Sequence, residues 1–489
     1  MRCLRALAVA LLLVLGCTVG RAAAQPPLPP PPILPGFPQL PPLPALSDLL
    51  PPPPPPQDAD PAPVPEGPLP QLQDLIDRVI PPPPIPPVAQ GTSIPVPVTT
   101  PPSLAALQEA VRPLDVGDPM FDAWPSGLAN YADGAVIETR DVTATTAPLM
   151  LQPIRQALQL KYRTTDAHDG ASFATATLIV PAASWSGPGA RPVVVNNLPI
   201  DALGRTCTPG YTFAHGYNPD SSLTDYIPPT TQLGLLRGYA VLIPDHEGPR
   251  MAYAEPYVAG HAVLDSIRAV RGLLPEEFGA SSYGMTGYSG GAIATNGAVK
   301  LIGSYAPELA PLIVGAAVGG VPADFELLTH SMNANLASAV FMAATFGIGR
   351  ERPEILGQMN NLAQWIATSP ARNLCGNTFG LAGVLMLPID VAANAPDPLN
   401  SPVAEDIYHV TKMAGMKSAT PLYIYNGEQE FWIPAAGARG LYHEQCELGV
   451  PSVYRSVPGE HLIAGGLGYP EAMTWLDQRL QGVPAPNEC

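Results

Sequence analysis

One stretch of the chain has the residue types and spacing of a nucleophile site. Gly287-Tyr288-Ser289-Gly290-Gly291 fits the pattern G-x-S-x-G, in which a serine sits on a sharp turn between a strand and a helix. Such a turn needs small residues two positions before and after the serine, because strand and helix almost touch there. The pattern predicts Ser289 as a nucleophile, although a glycine-rich chain can also contain it as an ordinary turn.

A serine nucleophile on this turn needs a carboxylate and then a histidine, each after a later strand. Of the eight histidines, only His443 and His461 follow the predicted strand 421–425. His443 lies inside a helix-like segment, which favours an exposed helix position. His461 follows the predicted strand 452–457 through a Pro-Gly-Glu turn. Its position predicts His461 as the general base.

Two carboxylates follow the strand 421–425, Glu428 and Glu430. Either one could orient the imidazole and stabilise its charged form. Glu430 stands four residues before Pro434 with apolar residues behind it, whereas Glu428 fits a solvated loop position. We therefore predict Glu430 as the acid and keep Glu428 as the alternative.

The negative oxygen of a tetrahedral intermediate needs two backbone N–H donors. The first is predicted at Gly290, directly after the nucleophile. The second should come from the loop after the predicted strand 192–195, where Asp201 is the candidate and a turn-capping aspartate is the equally good alternative. The segment Asp245-His246-Glu247-Gly248 follows another strand and is interpreted as a structural turn beside the site.

The elements that must position these residues alternate between short apolar strands and helices, as in a mostly parallel sheet with helices on both faces. Strands are predicted at 157–163, 173–180, 192–195, 239–243, 283–286, 312–319, 421–425 and 452–457. The alternation breaks between about 324 and 419, where helix signals dominate at 327–345 and 354–366. This stretch is interpreted as an inserted helical cap. The folded domain is expected to span 103–489.

The first 24 residues are typical of a signal peptide. Arg2 and Arg5 precede an apolar run, and an Ala-x-Ala cleavage site ends at Ala24. A loose lipobox that would lipidate Cys17 is the less favoured alternative.

Residues 25–102 contain about half of the 65 prolines of the chain. Such runs favour extended polyproline II and exclude central strands. We interpret the segment as a disordered or semi-rigid spacer rather than a ligand for a proline-recognising partner. One amphipathic patch at 72–80 is predicted to form one or two helical turns.

Charge and cysteines narrow the function classes further. The net charge of −17 argues against a nucleic-acid partner, which needs a basic surface. Removing the signal leaves Cys207, Cys375, Cys446 and Cys489, and an even number in an exported chain predicts two disulfides with three pairings open. No cysteine or histidine spacing indicates a metal site.

Taken together, these features resemble the secretory lipase family, the α/β-hydrolases related to yeast lipase A. The resemblance covers about 118–489 and omits the signal and the proline-rich segment. Its motifs, in the order of the family, are Asp118-Pro-Met-Phe121, Leu160-Lys-Tyr-Arg-Thr-Thr-Asp-Ala167, Asp201-Ala-Leu-Gly-Arg-Thr-Cys-Thr-Pro209, the segment 237–249, Ala262-Val-Leu-Asp-Ser-Ile-Arg-Ala269, Gly287–Gly291, Gly319-Gly-Val-Pro-Ala323 and Gly459-Glu-His-Leu462.

The resemblance implies an α/β-hydrolase fold and lipase or esterase activity without metal or cofactor. It carries the nucleophile onto Ser289, the histidine onto His461 and the oxyanion donors onto Asp201 and Gly290. It also implies an acyl-binding tunnel under the cap and the disulfides Cys207–Cys375 and Cys446–Cys489. The chain departs from the family at Glu430, where aspartate is usual, and at Gly210, where the family has serine.

The sequence thus predicts a secreted serine ester hydrolase, expected to be a monomer that acts on a small ester or lipid and associates with a lipid interface or the cell envelope. Two alternatives stay open. The same fold and triad could serve a serine peptidase, or the site could have decayed in a cell-envelope binding protein.

Overall fold

The computed structural model describes residues 72–88, 100–217, 221 and 229–489. The predicted signal peptide, the Cys17 alternative and most of the proline-rich segment lie outside these residues. The strands are β1 (Val136–Asp141), β2 (Ile154–Thr165), β3 (Ala171–Pro181), β4 (Val193–Asn197), β5 (Ala240–Pro244), β6 (Tyr283–Tyr288), β7 (Ile313–Gly319), β8 (Leu422–Gly427) and β9 (Ser452–Val457).

These strands form one mixed sheet in the order β1-β2-β3-β5-β4-β6-β7-β8-β9. The six strands β4 to β9 run parallel to one another, whereas β1, β2 and β3 are each antiparallel to their neighbours. The connection of β2 to β3 spans only 166–170, and a link that short joins antiparallel strands alone. β1 was not predicted, because its half-exposed, polar sequence Val-Ile-Glu-Thr-Arg-Asp lacks the apolar run of the other strands.

Helices cover both faces of the sheet, as predicted for the α/β-hydrolase fold. In the described residues they are α1 (Leu72–Val79), α2 (Pro102–Ala110), α3 (Pro119–Asp122), α4 (Thr143–Thr146), α5 (Pro209–His215), α6 (Thr230–Leu236), α7 (Pro256–Leu273), α8 (Pro275–Phe278), α9 (Gly290–Tyr305), α10 (Phe325–Met332), α11 (Ser338–Glu351), α12 (Asn361–Thr368), α13 (Gly376–Ala382), α14 (Pro402–Lys412), α15 (Ala435–Glu447) and α16 (His461–Leu480). Short 3₁₀ turns lie at Leu128–Asn130, Ala147–Leu149, Arg205–Cys207, Pro307–Leu309, Leu356–Gln358, Pro370–Asn373, Gly383–Leu385, Ile389–Val391 and Pro398–Asn400.

The two layers are distinguished by the alternation of side chains along the strands. Val193 and Val195 pack into a core with α7, α9 and α15, whereas Val194 of the same strand packs toward the opposite face. There Trp475 and Leu476 of α16 pack with Tyr423 of β8. Both faces of the parallel strands are therefore buried, which explains their continuous apolar sequences.

Between β7 and β8 the chain forms α10 to α14, and residues 325–412 are called the cap below. The helix predicted at 327–345 is two helices, since α10 ends before Asn333 and the side chain of Asn335 accepts a hydrogen bond from the Ala337 amide at 2.8 Å. Asparagine offers the backbone such a local bond and so interrupts helices. The helix predicted at 354–366 begins later, at Asn361, where the Asn360 side chain caps it.

Two disulfides are present, Cys207–Cys375 and Cys446–Cys489, in the pairing that the family resemblance implies. The first joins the loop after β4 to the cap. The second holds the C-terminal residue against α15. None of the helices in the described part of the chain is long and apolar enough to span a membrane.

Candidate active site

Ser289 lies at the turn from β6 into α9, with φ +54° and ψ −122°. A non-glycine residue in this region of φ and ψ is strained and persists only where its surroundings enforce it. The flanking glycines explain how the turn closes. A Cβ on Gly287 would lie 2.1 Å from the Gly291 carbonyl oxygen, and a Cβ on Gly291 would lie 1.9 Å from that of Asn197. The predicted elbow is therefore close-packed against β4.

His461 is the first residue of α16, and the side chain of Glu460 caps that helix by accepting from the amides of Leu462 and Ile463. The sequence predicted that His461 follows the turn Pro458-Gly459-Glu460, and the structure adds that this turn leads directly into a helix. Its Nε2 lies 2.9 Å from Oγ of Ser289. His443, the other candidate, is an exposed residue of α15.

Glu430 is buried and contacts His461, with its Oε2 2.7 Å from Nδ1 of the ring. Its other oxygen accepts from the amides of Trp432 and Ile433 at 3.0 and 3.1 Å. Glu428 is exposed; its backbone amide donates to the Val457 carbonyl oxygen, and its Oε2 accepts from the side-chain amide of Gln429 at 3.4 Å rather than contacting His461. Of the two glutamates that the sequence proposed, the structure thus brings Glu430 to the histidine.

Asp201 follows β4 with a left-handed φ of +45°. Its side chain lies against Gly290, because a Cβ on Gly290 would be 1.8 Å from Oδ1 of Asp201. That oxygen is buried without a hydrogen-bond partner. Burial raises the pKa of Asp201 to about 7, while the charge of His461 and the Tyr253 hydroxyl act in the opposite direction. Asp201 therefore lies directly beside the N-terminus of α9.

The segment Asp245-His246-Glu247 forms hydrogen bonds with the loop after β4, which carries Asp201. Nε2 of His246 lies 2.9 Å from the Leu198 carbonyl oxygen, and burial lowers the pKa of that ring to about 4, so the neutral ring donates. Oε1 of Glu247 accepts from the Ala202 amide at 3.3 Å. Burial raises the pKa of Glu247, and the neighbouring Asp201 raises it further. These contacts agree with a structural role for the segment.

Two aromatic residues contact His461 besides the predicted partners. The hydroxyl of Tyr288 donates to the His461 carbonyl oxygen. The ring of Trp432 stacks on the imidazole with centroids 5.7 Å apart and planes 25° apart. Sequence reasoning named Tyr288 only as part of the elbow and did not single out Trp432. Its position two residues after Glu430, in the loop that carries the acid, was the available signal.

A cavity of about 570 Å³ begins at Ser289 and extends beneath the cap. Most of its lining is apolar, although polar side chains of the cap such as Gln358, Arg372 and Asn377 also line it. Ile293, which follows Ser289 on α9, and Trp432, which stacks on His461, form part of the wall, and the cap contributes Leu356, Met359, Ala363 and Ala367. Its volume and lining are those of a pocket for an apolar small molecule.

With this geometry established, comparison with known proteins gives the family. The model of the family "Secretory lipase" matches residues 231–488, more than half of the chain. The chain belongs to the secretory lipase family. The match includes Ser289, Glu430 and His461 and leaves out the loop with Asp201.

Two curated relatives align with about three quarters of this chain. A Mycobacterium tuberculosis protein named "Probable inactive lipase" is 29% identical over 77% of this chain and 85% of its own length. Lipase 10 of Candida albicans is 28% identical over 76% of this chain and 82% of its own length. Among solved structures, lipase A of Candida antarctica in its closed state has a TM-score of 0.68 at 26% identity, covering 76% of this chain and 88% of that one.

Within its described residues the chain contains no group of three or more histidine, cysteine or acidic residues arranged to hold a metal ion. At Glu430, where the family resemblance leads us to expect aspartate, two backbone amides of the loop hold the carboxylate oxygen that faces away from His461. At Gly210, where the resemblance leads us to expect serine, a Cβ would lie 2.1 Å from Oδ2 of Asp245.

Proposed function

We propose that this secretory lipase is an exported serine carboxylic-ester hydrolase that works through Ser289, His461 and Glu430. The observation that carries the proposal is the unbroken hydrogen-bond chain from Oγ of Ser289 through both ring nitrogens of His461 to Glu430. This is the arrangement in which a histidine removes the serine proton while a buried carboxylate holds the imidazole in the correct tautomer.

The reaction follows in two halves. Oγ of Ser289 attacks the ester carbonyl as His461 takes its proton, and the protonated His461 then donates to the departing alcohol. Water, deprotonated by His461, then attacks the acyl-enzyme, and the protonated His461 returns that proton to Oγ of Ser289 as the acyl–Oγ bond breaks and the carboxylic acid is released. We propose the backbone amides of Gly290, at the positive end of α9, and of Asp201 as the donors that stabilise the developing oxyanion.

The cavity favours an ester over a peptide substrate. Its predominantly Leu, Ile, Phe and Trp wall offers apolar contacts to an acyl chain, whereas only a few polar side chains, Gln358 and Asn377 among them, are available to the N–H and C=O groups of a peptide. We therefore propose fatty-acyl esters as the substrate class. Triacylglycerols, simple esters and envelope lipids all contain this acyl group.

A relative is named as an inactive lipase, so loss of catalysis is the competing function to test. A fluorophosphonate probe should label the wild-type chain at Ser289, and p-nitrophenyl butyrate should be hydrolysed. Ser289→Ala and His461→Ala should abolish hydrolysis, whereas His443→Ala, which removes an exposed histidine, should retain it. A folded wild-type chain that neither reacts with the probe nor cleaves the ester would establish the decayed alternative.

A further inference from the structure

One part of the proline-rich segment lies on the cap. The helix α1 and the extended residues 80–88, together called the leader strap, run along α12. The Asn361 amide donates to Oδ1 of Asp77 at 2.7 Å, and the Asn361 side chain donates to the Ile80 carbonyl oxygen at 2.7 Å. The indole N–H of Trp365 donates to the Pro81 carbonyl oxygen at 2.8 Å. These bonds join residues that lie about 280 positions apart in the sequence.

The chemistry of this contact is that of polyproline recognition. A proline-rich chain without internal hydrogen bonds leaves its carbonyl oxygens free, and aromatic grooves bind such chains at low entropic cost. Here the indole N–H of Trp365 is the donor to such a carbonyl oxygen. Asp77 adds a carboxylate at the positive N-terminus of α12, which is a favourable position for negative charge. The leader strap therefore binds the cap of its own chain.

Within its proline run, the leader strap also contributes to an apolar cluster. Pro83 is buried, and Ile85 packs against the group formed by Leu107, Val111, Leu356 and Ala367. Leu75 and Val79 on α1 point to solvent, with 54% and 71% of their surface exposed. One side of the leader strap thus contacts the rest of the chain and the other faces solvent. Substitutions on the solvent side can serve as controls for those on the contacting side.

The opposite side of this cluster is the wall of the cavity. Leu356, Met359, Ala363 and Ala367 line the cavity from residues 356–368 of the cap. Leu356, Met359 and Ala367 pack in a different apolar cluster from Ile293, which lies four residues after Ser289 on α9. The strap therefore supports a part of the wall that a short acyl chain bound at Ser289 does not need.

We infer that the leader strap is a specificity element, which braces this wall and so determines how efficiently long acyl chains are hydrolysed. The inference rests on the proposed ester hydrolase function. A wall that is held in place keeps close contacts with the far methylenes of a long chain, and these contacts are lost if α12 moves by a fraction of an ångström. Single methylene contacts in an apolar pocket change discrimination by about tenfold or more.

The test uses the full chain with Ile85→Asp and the matched control Val79→Asp, which places the same charge on the free side. For Ile85→Asp, kcat/KM for p-nitrophenyl palmitate should fall about tenfold, whereas kcat/KM for p-nitrophenyl butyrate should stay within about twofold of wild type. Val79→Asp should match wild type on both esters. Asp77→Ala, paired with Asp74→Ala as its control, should shift the palmitate-to-butyrate ratio in the same direction.

Hydrogen exchange of peptides covering 358–370 supplies a readout that does not depend on catalysis. Ile85→Asp and Asp77→Ala should speed exchange in α12, and the two controls should not. Unchanged exchange, or faster exchange with an unchanged palmitate-to-butyrate ratio, would overturn the inference. A wild-type chain that cleaves neither ester would instead overturn the proposed function on which it rests.

Discussion

Glu430 and His461 are joined by a 2.7 Å contact between Oε2 and Nδ1, at the end of a loop that also binds the other carboxylate oxygen through two backbone amides. The loop is held from a second side, because Oε1 of Gln429 accepts from the Gly459 amide at 2.6 Å. A glutamate can therefore stand where the family usually has aspartate. Its longer side chain is held by its own backbone neighbours rather than left to rotate.

The first prediction concerns this acid. In Glu430→Gln the side-chain oxygen should continue to accept hydrogen bonds from the Trp432 and Ile433 amides. The NH₂ group then faces Nδ1 of His461. The ring would then carry its proton on Nε2, the wrong tautomer for a base toward Ser289. We expect kcat for p-nitrophenyl butyrate to fall by roughly 10³ to 10⁴. The matched variant Glu428→Gln, in an exposed position, should keep wild-type kcat, and the reverse ranking would move the acid to Glu428.

The second prediction concerns the glycines of the elbow. Gly291→Ala puts a methyl group 1.9 Å from the Asn197 carbonyl oxygen, a backbone atom of β4 that cannot rotate away. We expect the free energy of unfolding to fall by about 3 kcal/mol and activity to be lost. Gly303→Ala lies on the same helix with nothing within 4 Å, so it should raise stability by about 0.5–1 kcal/mol. Urea unfolding of both variants measures the difference, and equal effects would contradict the close packing at the elbow.

The third prediction separates the two disulfides. Cys207–Cys375 closes a separation of 168 residues and Cys446–Cys489 one of 43. A longer closed loop loses more entropy in the unfolded state, so the double variant Cys207→Ala/Cys375→Ala should be less stable than Cys446→Ala/Cys489→Ala by about 1 kcal/mol. It should also lower kcat, because Cys375 precedes Gly376, whose Cβ position lies 2.6 Å from the Asp201 carbonyl oxygen. Thermal unfolding and ester hydrolysis test both statements, and equal kcat values would refute the second.

The fourth prediction concerns Asp245, whose carboxylate accepts from the Thr175 hydroxyl and the Gly210 amide. Burial raises its pKa to about 7, against about 3.9 in an unfolded chain. A raised pKa means that the folded state holds the proton more tightly. The resulting stability is fully present below about pH 4 and is lost as the pH rises through 7.

Asp245→Asn removes this titration and retains an acceptor for Gly210 and a donor for Thr175. Between pH 5 and pH 8 the free energy of unfolding of wild type should therefore decrease by on the order of 2 kcal/mol more than that of Asp245→Asn. Asp74→Asn, on the exposed side of α1, should follow the wild-type curve. Parallel curves for wild type and Asp245→Asn would show that Asp245 does not titrate in this range.

Much of the fold followed from local patterns. The strands from β2 to β9 were predicted within a few residues; for β4, β5 and β7 the reason is that burial on both faces leaves an apolar run that is visible in the sequence. The antiparallel start of the sheet was not predicted, and neither was β1. Strand direction depends on the length of the connections and on the neighbours in space, which an apolar run does not record.

For the site, too, sequence patterns and the tertiary structure determined different features. The sequence by itself determined the elbow around Ser289 and the order of carboxylate and histidine after later strands, because these depend on neighbouring residues and on chain order. Only the tertiary structure decided which glutamate contacts His461, that Trp432 stacks on its ring, and that Asp77 and Pro81 bind α12. Those contacts join residues far apart in the chain, and their geometry is settled by packing, which no local pattern contains.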